Sequence, residues 1–160
     1  ESKIKIQTLK SIKIIPLSEF FLSYRKTKLK NGVFLYSVEI PINKKNHFKA
    51  YKISRRFDDD ISSVCASFNF LIKKNIILKA NIAYGGMSAI PKRATIIEKA
   101  LTNSVFSEDT FSKVKNLIDA DFSPIDDMRA SKNYRADVAK NLMMKFFYEV
   151  SGKKNLRVNS

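Results

Sequence analysis

Hydrophobic and polar residues alternate through most of the first half of the chain. A period of two places successive side chains on opposite faces, which is typical of a half-buried β-strand. Pro16, Pro41 and short polar breaks divide the alternation into separate runs. The pattern predicts a strand pair within the first sixteen residues and further strands at 33–40, 48–54, 64–72 and 76–84, the last two forming a hairpin.

The second half of the chain changes to helical spacing. Pro91 is placed to start a first helix that ends at Asn103, and Ser107 is placed to cap a second helix with an acidic first turn. A third helix is predicted at about 132–151, with Gly152 just beyond its end. The predicted buried positions are Ile97, Ala100 and Leu101 in the first helix, Phe111, Val114, Leu117 and Ile118 in the second, and Tyr134, Val138, Leu142 and Phe146 in the third.

Strands followed by helices predict an α+β fold. We expect a short antiparallel β-sheet of three to four strands packed against about three C-terminal helices. The chain has 160 residues, of which 44% are hydrophobic and twelve are Phe, and this is enough apolar material for one core. Residues 1–16 are interpreted as a strand remnant of a preceding domain, and residues 17–160 as one domain.

The sequence contains no run of 18 apolar residues and no signal-peptide pattern, and it begins at Glu1. We therefore expect a fragment of a cytoplasmic protein with no membrane partner. The single cysteine, Cys65, cannot form an internal disulfide and is predicted to be a small buried apolar residue in a reducing compartment.

The net charge is +15, from thirty Lys and Arg against fifteen Asp and Glu. Such an excess suits nucleic acid, anionic membranes or acidic partners. The basic residues are spread along the whole chain without interleaved aromatic residues, which favours charged, solvated faces over a nucleic-acid site. A basic nucleic-acid-binding module and a protein-interaction domain without redox activity remain open as alternatives, although no nucleic-acid partner is expected.

Several common catalytic and metal-binding patterns are absent from the sequence. It contains no P-loop, no GxGxxG, no HExxH and no CxxC pair. His47 is the only histidine, and it is predicted to be a surface or edge-strand residue. One His and one Cys far apart in sequence do not suit a metal site, so we predict neither a catalytic residue nor a metal ligand.

A cluster of charges is predicted where the strand at 48–54 opens into a loop. Lys52, Arg55 and Arg56 are followed at once by three aspartates at 58–60. Guanidinium groups match phosphate and carbonyl oxygens, and a Lys beside a reduced heterocycle stabilises negative charge. The alternative is a surface network in which the arginines pair with the aspartates. Gly85-Gly86 likewise predicts either close approach of a ligand or a tight turn with positive φ.

Five short motifs follow one another along the chain. They are Tyr24-Arg25-Lys26-Thr27, Ser37-Val38-Glu39-Ile40-Pro41, Lys52-Ile53-Ser54-Arg55-Arg56-Phe57-Asp58-Asp59-Asp60-Ile61, Tyr84-Gly85-Gly86-Met87-Ser88 and Asp127-Met128-Arg129-Ala130-Ser131. Over residues 16–150 the sequence therefore resembles the molybdenum hydroxylase flavoproteins, which include the bacterial small subunit of xanthine dehydrogenase and carbon monoxide dehydrogenase. Residues 17–160 would form the domain typical of the C-terminus of CO dehydrogenase flavoproteins, and residues 1–16 would end the preceding FAD-binding domain.

The resemblance implies a cofactor and four residues that bind it. In this family the domain closes over an FAD that is held mainly by the preceding domain. Leu35 and Lys52 match family positions that contact FAD, and Arg55 and Arg56 match the loop that flanks the NAD face of the flavin. Molybdopterin and 2Fe-2S clusters are expected only on other domains or subunits.

The resemblance also implies an activity and partners. The family reaction is hydroxylation of a purine at molybdenum, with electrons passing through iron-sulfur clusters to FAD and then to NAD. Expected partners are the preceding FAD-binding domain, an iron-sulfur domain, a molybdopterin-binding subunit and a second copy of the full complex in a homodimer. The main FAD-binding motif is not in this sequence, so the chain alone is expected to be inactive and to hold FAD weakly.

Overall fold

The computed structural model describes residues 1–57 and 59–153 and divides the chain into two compact units, Glu1–Lys44 and Lys45–Ser160. The first unit contains two small antiparallel sheets. Their strands are β1 (Lys3–Gln7), β2 (Ile12–Pro16), β3 (Phe21–Ser23), β4 (Lys26–Thr27) and β5 (Phe34–Glu39). The larger sheet has the order β2-β1-β5, and the smaller sheet pairs β3 with β4.

A small core closes the first unit. Ile4 and Ile6 of β1 alternate with polar residues and are buried together with Ile15 of β2 and Phe20. The predicted strand pair ending at Pro16 and the predicted strand at 33–40 are both confirmed. Assignment of residues 1–16 to a preceding domain stays a prediction.

The second unit is built on a four-stranded antiparallel sheet. Its strands are β6 (His47–Ile53), β7 (Val64–Lys73), β8 (Ile76–Gly85) and β9 (Lys92–Arg93), and they lie in the order β6-β7-β8-β9. The β6–β7–β8 part confirms the predicted strand at 48–54 and the predicted hairpin. Lys74 and Asn75 turn the chain between β7 and β8 with positive φ values of 48° and 61°.

Strict alternation on β7 separates a buried face from a more accessible one. Val64, Ala66, Phe68 and Phe70 are fully buried. Cys65 lies between two of them and is exposed, so the prediction of a buried cysteine was wrong. Small size and apolar character favoured burial, but the strand period decides which face a residue occupies.

Helices follow the strands and cover the buried face of the sheet. The α-helices are α1 (Thr95–Leu101), α2 (Glu108–Val114), α3 (Ile118–Asp121) and α4 (Lys132–Val150). Ser107 caps α2 and Ser131 caps α4, and each side-chain hydroxyl accepts a hydrogen bond from the amide three residues later. A 3₁₀ turn at Lys115–Leu117 connects α2 to α3.

The aromatic core joins α4 to the sheet. The ring of Phe146 lies 5.0 Å from that of Phe68 and 4.6 Å from that of Phe70, measured between ring centroids. Phe111 of α2 packs beside them, 6.0 Å from Phe70. The predicted α+β class, with helices after strands, is confirmed. The C-terminal helix also has its expected bounds, and Gly152 lies beyond it with a φ of 94°.

The first helix begins later than predicted. Lys92 and Arg93 pair with β8 as a short strand, and the Ala94 amide donates to Ile82 O at 2.9 Å. The chain is therefore extended after Pro91, and α1 starts at Thr95. Asp121 accepts from the amides of Ile96 and Ile97, each at 3.0 Å, so a carboxylate from a distant segment caps this helix.

The buried face of α1 also differs from the prediction. Ile97 and Leu101 are buried as expected, but Ala100 is exposed and Glu98 is buried in its place. The Glu98 carboxylate accepts from the Ile82 amide at 2.7 Å and pairs with Arg93. None of the described helices combines the length and hydropathy that a membrane span requires.

Candidate functional site

Lys52 occupies the accessible face of the edge strand β6. Its register partner is Cys65 on β7, and Cys65 in turn pairs with Gly85 on β8, so these three residues form one row across the sheet. Lys52 and Cys65 are exposed and Gly85 has no side chain. An ammonium group therefore stands at one end of a row of small residues.

The neighbouring residues of β6 fasten the strand to α4. The Tyr51 hydroxyl donates to Glu149 Oε2 at 3.0 Å, and Lys49 Nζ lies 3.3 Å from the same oxygen. Burial, and then the hydrogen bond to Glu149, raises the pKa of Tyr51 well above its usual value, so the hydroxyl stays protonated and donating. These contacts hold the opposite side of the strand that carries Lys52.

Arg55 and Arg56 lie in the loop after β6 and have different partners. Arg55 Nη1 donates to the carbonyl oxygen of Met128 at 2.8 Å. Arg56 pairs with Asp60 at 3.3 Å, and the Asp60 carboxylate also accepts from the Arg56 amide at 3.1 Å. The hydrogen bond from the Arg56 side chain holds the pKa of Asp60 below its usual value. Arg56 thus fits the surface-network alternative, whereas Arg55 reaches a second loop.

That second loop precedes α4 and is shaped by Asp127. Its Oδ1 accepts from the amides of Arg129 and Ala130, at 2.8 and 3.2 Å. The Arg129 amide contributes most to lowering the pKa of Asp127, and the Arg135 guanidinium adds to it. The carboxylate is therefore charged at neutral pH and keeps the turn closed.

The two loops border an open depression of about 440 Å³. Phe57 beside it is 94% exposed, and Met128 on its wall is 82% exposed. Guanidinium groups, hydroxyls and exposed apolar side chains of this kind can bind a large, partly anionic ring system. The depression is lined by Ser54, Arg55, Ser63, Asp127, Met128, Arg129, Ala130, Ser131 and Tyr134.

Gly86 turns the chain directly after β8. Its φ is 80°, and a Cβ placed on it would lie 2.2 Å from the carbonyl oxygen of Ser63. The tight-turn interpretation of Gly85-Gly86 is therefore correct for Gly86, and protein backbone occupies the space that its missing side chain leaves open.

The structure brings together three of the four residues predicted for the site. Lys52, Arg55 and Arg56 lie within five residues at the end of β6. Leu35 belongs to the first unit, where it is exposed on β5 and pairs with Ile6. His47 is exposed at the start of the edge strand, as predicted. In the described parts of the chain, no group of three His, Cys, Asp or Glu side chains could hold a metal ion.

Sequence patterns did not mark Phe57, Met128, Arg129 or Arg135 as site residues. An apolar residue next to a run of charges, as at Phe57, was a usable signal of an exposed aromatic. The Asp127-to-Ser131 motif belongs to the resemblance, but its approach to Arg55 joins positions 73 residues apart, which local patterns do not reveal.

The family model described as the CO dehydrogenase flavoprotein C-terminal domain matches residues 49–150. The chain belongs to this family. The match includes Lys52, Arg55 and Arg56 and excludes Leu35, and it confirms the resemblance inferred from the five motifs.

Among curated proteins, the chain is 31% identical over 153 residues to a xanthine dehydrogenase of Oryza sativa subsp. japonica, covering 92% of the chain and 11% of that protein. It is 29% identical over 134 residues to the glyceraldehyde dehydrogenase medium chain of Sulfolobus acidocaldarius, covering 83% of the chain and 47% of the medium chain. The chain thus spans about a tenth of the former and about half of the latter. Both relatives carry the name of a dehydrogenase.

Solved structures share the fold at low identity. Quinoline 2-oxidoreductase from Pseudomonas putida 86 matches with a TM-score of 0.82 and 22% identity, over 92% of this chain and 51% of the other. Carbon monoxide dehydrogenase from Hydrogenophaga pseudoflava matches with a TM-score of 0.83 and 17% identity, over 91% and 50% of the two chains. These similarities show that the chain shares its fold with part of each of these two proteins.

Proposed function

We propose that this chain is part of the FAD-binding segment of a xanthine-dehydrogenase-like molybdenum hydroxylase, in which it closes over the flavin that passes electrons from iron-sulfur clusters to NAD. The observation that carries the proposal is the family match over residues 49–150. That match contains Lys52 near the end of β6 and Arg55 and Arg56 in the loop after it.

The exposed residues at the end of β6 and in the loop after it fit an anionic, planar cofactor. Lys52 and both arginines are exposed, and Phe57 beside them offers an aromatic face. A guanidinium has five N–H donors, of which Arg55 uses one for the Met128 carbonyl oxygen. FAD would supply the electron-transfer chemistry, and the residues of this chain would bind and orient it.

Leu35, Lys52, Arg55 and Arg56 are the residues that we propose contact the cofactor or border its NAD face. The described residues at the site offer binding groups without a nucleophile activated by a neighbouring base. The activity therefore belongs to the whole enzyme, and the isolated chain is proposed to be inactive.

The share of the relatives that the chain spans supports the proposal of further domains and subunits. It covers 51% of the quinoline 2-oxidoreductase chain and 11% of the rice xanthine dehydrogenase. We propose that the remaining parts are a preceding FAD-binding domain, an iron-sulfur domain and a molybdopterin-binding subunit. Purine as the substrate, NAD as the acceptor, a homodimeric complex and a cytoplasmic location belong to the same proposal.

Replacing Lys52 by Met in the complete flavoprotein tests the proposal. The substitution keeps the aliphatic stem and removes the charge. FAD affinity should fall about tenfold, equivalent to roughly 1.4 kcal/mol, which is a plausible loss for one charge-assisted contact. The rate of NAD reduction should fall as well. Both quantities are measured on the reconstituted complex by fluorescence titration and steady-state kinetics.

Lys73→Met is the matched control. Lys73 is exposed at the opposite end of β7, eight residues from the partner of Lys52, which corresponds to roughly 27 Å along the strand. It should leave FAD affinity and the rate of NAD reduction unchanged. Equal effects of the two substitutions, or none from Lys52→Met, would place Lys52 on an ordinary solvated face and favour the interaction-domain alternative.

A further inference from the structure

Arg135 carries a charge that is almost fully buried. It lies in the first turn of α4 and is 3% exposed, on the same side as Val138 and Ala139. Burying a cation costs several kcal/mol unless its partners are close and well oriented. Packing alone therefore does not account for the burial of this guanidinium, and its hydrogen-bond acceptors must be considered.

The Arg135 side chain connects three separate segments of the second unit. Nη1 donates to the carbonyl oxygen of Ser63, just before β7, and to that of Gly86 at 2.9 Å, just after β8. Nη2 donates to Asp127 Oδ1 at 2.6 Å, in the loop before α4. One guanidinium thus holds the backbone of two loops and the carboxylate of a third.

Two of the three segments held by Arg135, at Ser63 and at Asp127, line the depression of the candidate site. Ser63 closes the loop that carries Arg55, because its amide donates to the Ile53 carbonyl at 2.8 Å. The Ser63 hydroxyl donates to the Arg129 carbonyl at 3.3 Å, so this loop also touches the loop before α4. The distance between the two loops is therefore set at Ser63 and Asp127, which share Arg135.

The same contacts lead to Arg55. Asp127 closes the turn by accepting from the amides of Arg129 and Ala130, and this turn presents the Met128 carbonyl oxygen that binds Arg55. If the turn opened, Arg55 would lose its acceptor, and the rotamers of a long exposed side chain would become free.

We infer that Arg135 is a positioning residue that holds the loop after β6, described at 54–57 and 59–63, to the loop at 127–131 and thereby fixes the direction of the Arg55 guanidinium. Only the last step, the contribution of Arg55 to FAD binding, rests on the function proposed above. The positioning itself is a property of the 160-residue chain.

The first experiment measures the mobility of Arg55 in the chain without flavin. In ¹H–¹⁵N spectra of arginine side chains, the Arg55 signal is assigned by its loss in Arg55→Met. Arg135→Lys retains a cation but lacks the fork that reaches three acceptors, so the Arg55 signal should move to the position of a free guanidinium. Asp127→Ala removes the same link from the other side and replaces Arg135→Lys if that variant does not fold.

Arg93→Lys is the matched control. Arg93 also forms a charged pair, with Glu98, and it donates to Asn81 at 2.8 Å, but it contacts neither loop. It should lower the melting temperature and leave the Arg55 signal in place. An Arg55 signal that is unchanged in Arg135→Lys or Asp127→Ala, or that moves equally in Arg93→Lys, would overturn the inference.

The second experiment measures FAD affinity in the complete flavoprotein. Arg55→Met and Arg135→Lys should each weaken FAD binding about tenfold. The double variant should bind FAD no more weakly than Arg55→Met alone, because both substitutions remove the same interaction. An additive loss of about a hundredfold would show that Arg135 acts separately and would overturn the inference. Unchanged FAD affinity in Arg55→Met would instead contradict the proposed role of Arg55 in the flavin site.

Discussion

Among the glycines of the second unit, Gly86 leaves the least room for a side chain. A methyl group there would lie 2.2 Å from the Ser63 carbonyl oxygen and 3.0 Å from Arg135 Nη1, at a φ of 80°. Gly86→Ala should therefore lower the free energy of unfolding by about 3 kcal/mol or more, from backbone strain and overpacking combined. Urea denaturation of the 160-residue chain measures the change.

Gly152→Ala separates the two contributions. Gly152 also has a positive φ, 94°, but no atom of the described residues lies within 4 Å of its added Cβ, its two chain neighbours aside. The control should cost only about 1 kcal/mol, the strain of a left-handed residue. If Gly86→Ala were no more costly than Gly152→Ala, the close contact between Gly86 and Ser63 would be wrong.

Single residues also show what sequence patterns miss. Arg135 sits on the buried face of α4, where the helical period is readable, yet a charged residue in a periodic pattern is assigned to solvent by default. Glu98 and Asp121 are also charged and buried, because their carboxylates accept hydrogen bonds from backbone amides of a distant segment. Their partners are defined only once the chain is folded.

At the scale of elements, α4 and the sheet meet through Phe146. Its ring stacks on Phe68 with an interplanar angle of 18° and also contacts Phe70. Phe146→Ala should lower the free energy of unfolding by about 3–5 kcal/mol, because it removes a fully buried ring and leaves a cavity. Thermal and urea denaturation followed by circular dichroism provide the measurement.

Phe48→Ala removes the same side chain from the accessible face of β6, where Phe48 is 62% exposed. It should change stability by less than about 1 kcal/mol. Comparable losses in the two variants would mean that the aromatic cluster around Phe146 does not hold the helix to the sheet.

Strands were more predictable than helix starts, and the reason is physical. On β7 from Val64 to Phe70, and on β8 from Ala80 to Tyr84, every second residue is buried, so the period of two defines both the element and its inner face there. Near the turn the register shifts, and Ile77 is buried while Leu78 is exposed. The start of α1 depends instead on pairing of Lys92 and Arg93 with β8 and on capping by Asp121. The exposed cysteine follows from the same period, although its residue type suggested burial.

At the scale of the whole molecule, the positive charge is distributed over both units. Residues 1–44 contain nine Lys or Arg and three Glu, and the rest of the chain contains twenty-one basic and twelve acidic residues. Because both units have more basic than acidic residues, the positive charge fits dispersed, solvated side chains. The candidate site was predictable from sequence at Lys52, Arg55 and Arg56, which lie within five residues at the end of β6 and in the loop after it, while the wall from 127–131 required the tertiary structure.

Dispersed charge predicts weak, non-selective binding of DNA. Random duplex should bind with a Kd no tighter than about 1 μM at 0.15 M salt, and affinity should fall steeply between about 50 and 200 mM salt. Fluorescence anisotropy with several unrelated duplexes, and with heparin as competitor, measures both features. Tight binding of one duplex over the others at 0.15 M salt would favour the nucleic-acid alternative over the flavoprotein proposal.

The exposed position of Cys65 has a practical consequence. It is the only thiol in 160 residues, and its register partner is Lys52, which places their Cβ atoms about 5 Å apart. A maleimide dye can therefore be attached at one defined point beside the proposed cofactor contact without altering any residue. Quenching of its emission would report directly on the arrival of a flavin at the accessible face of the sheet.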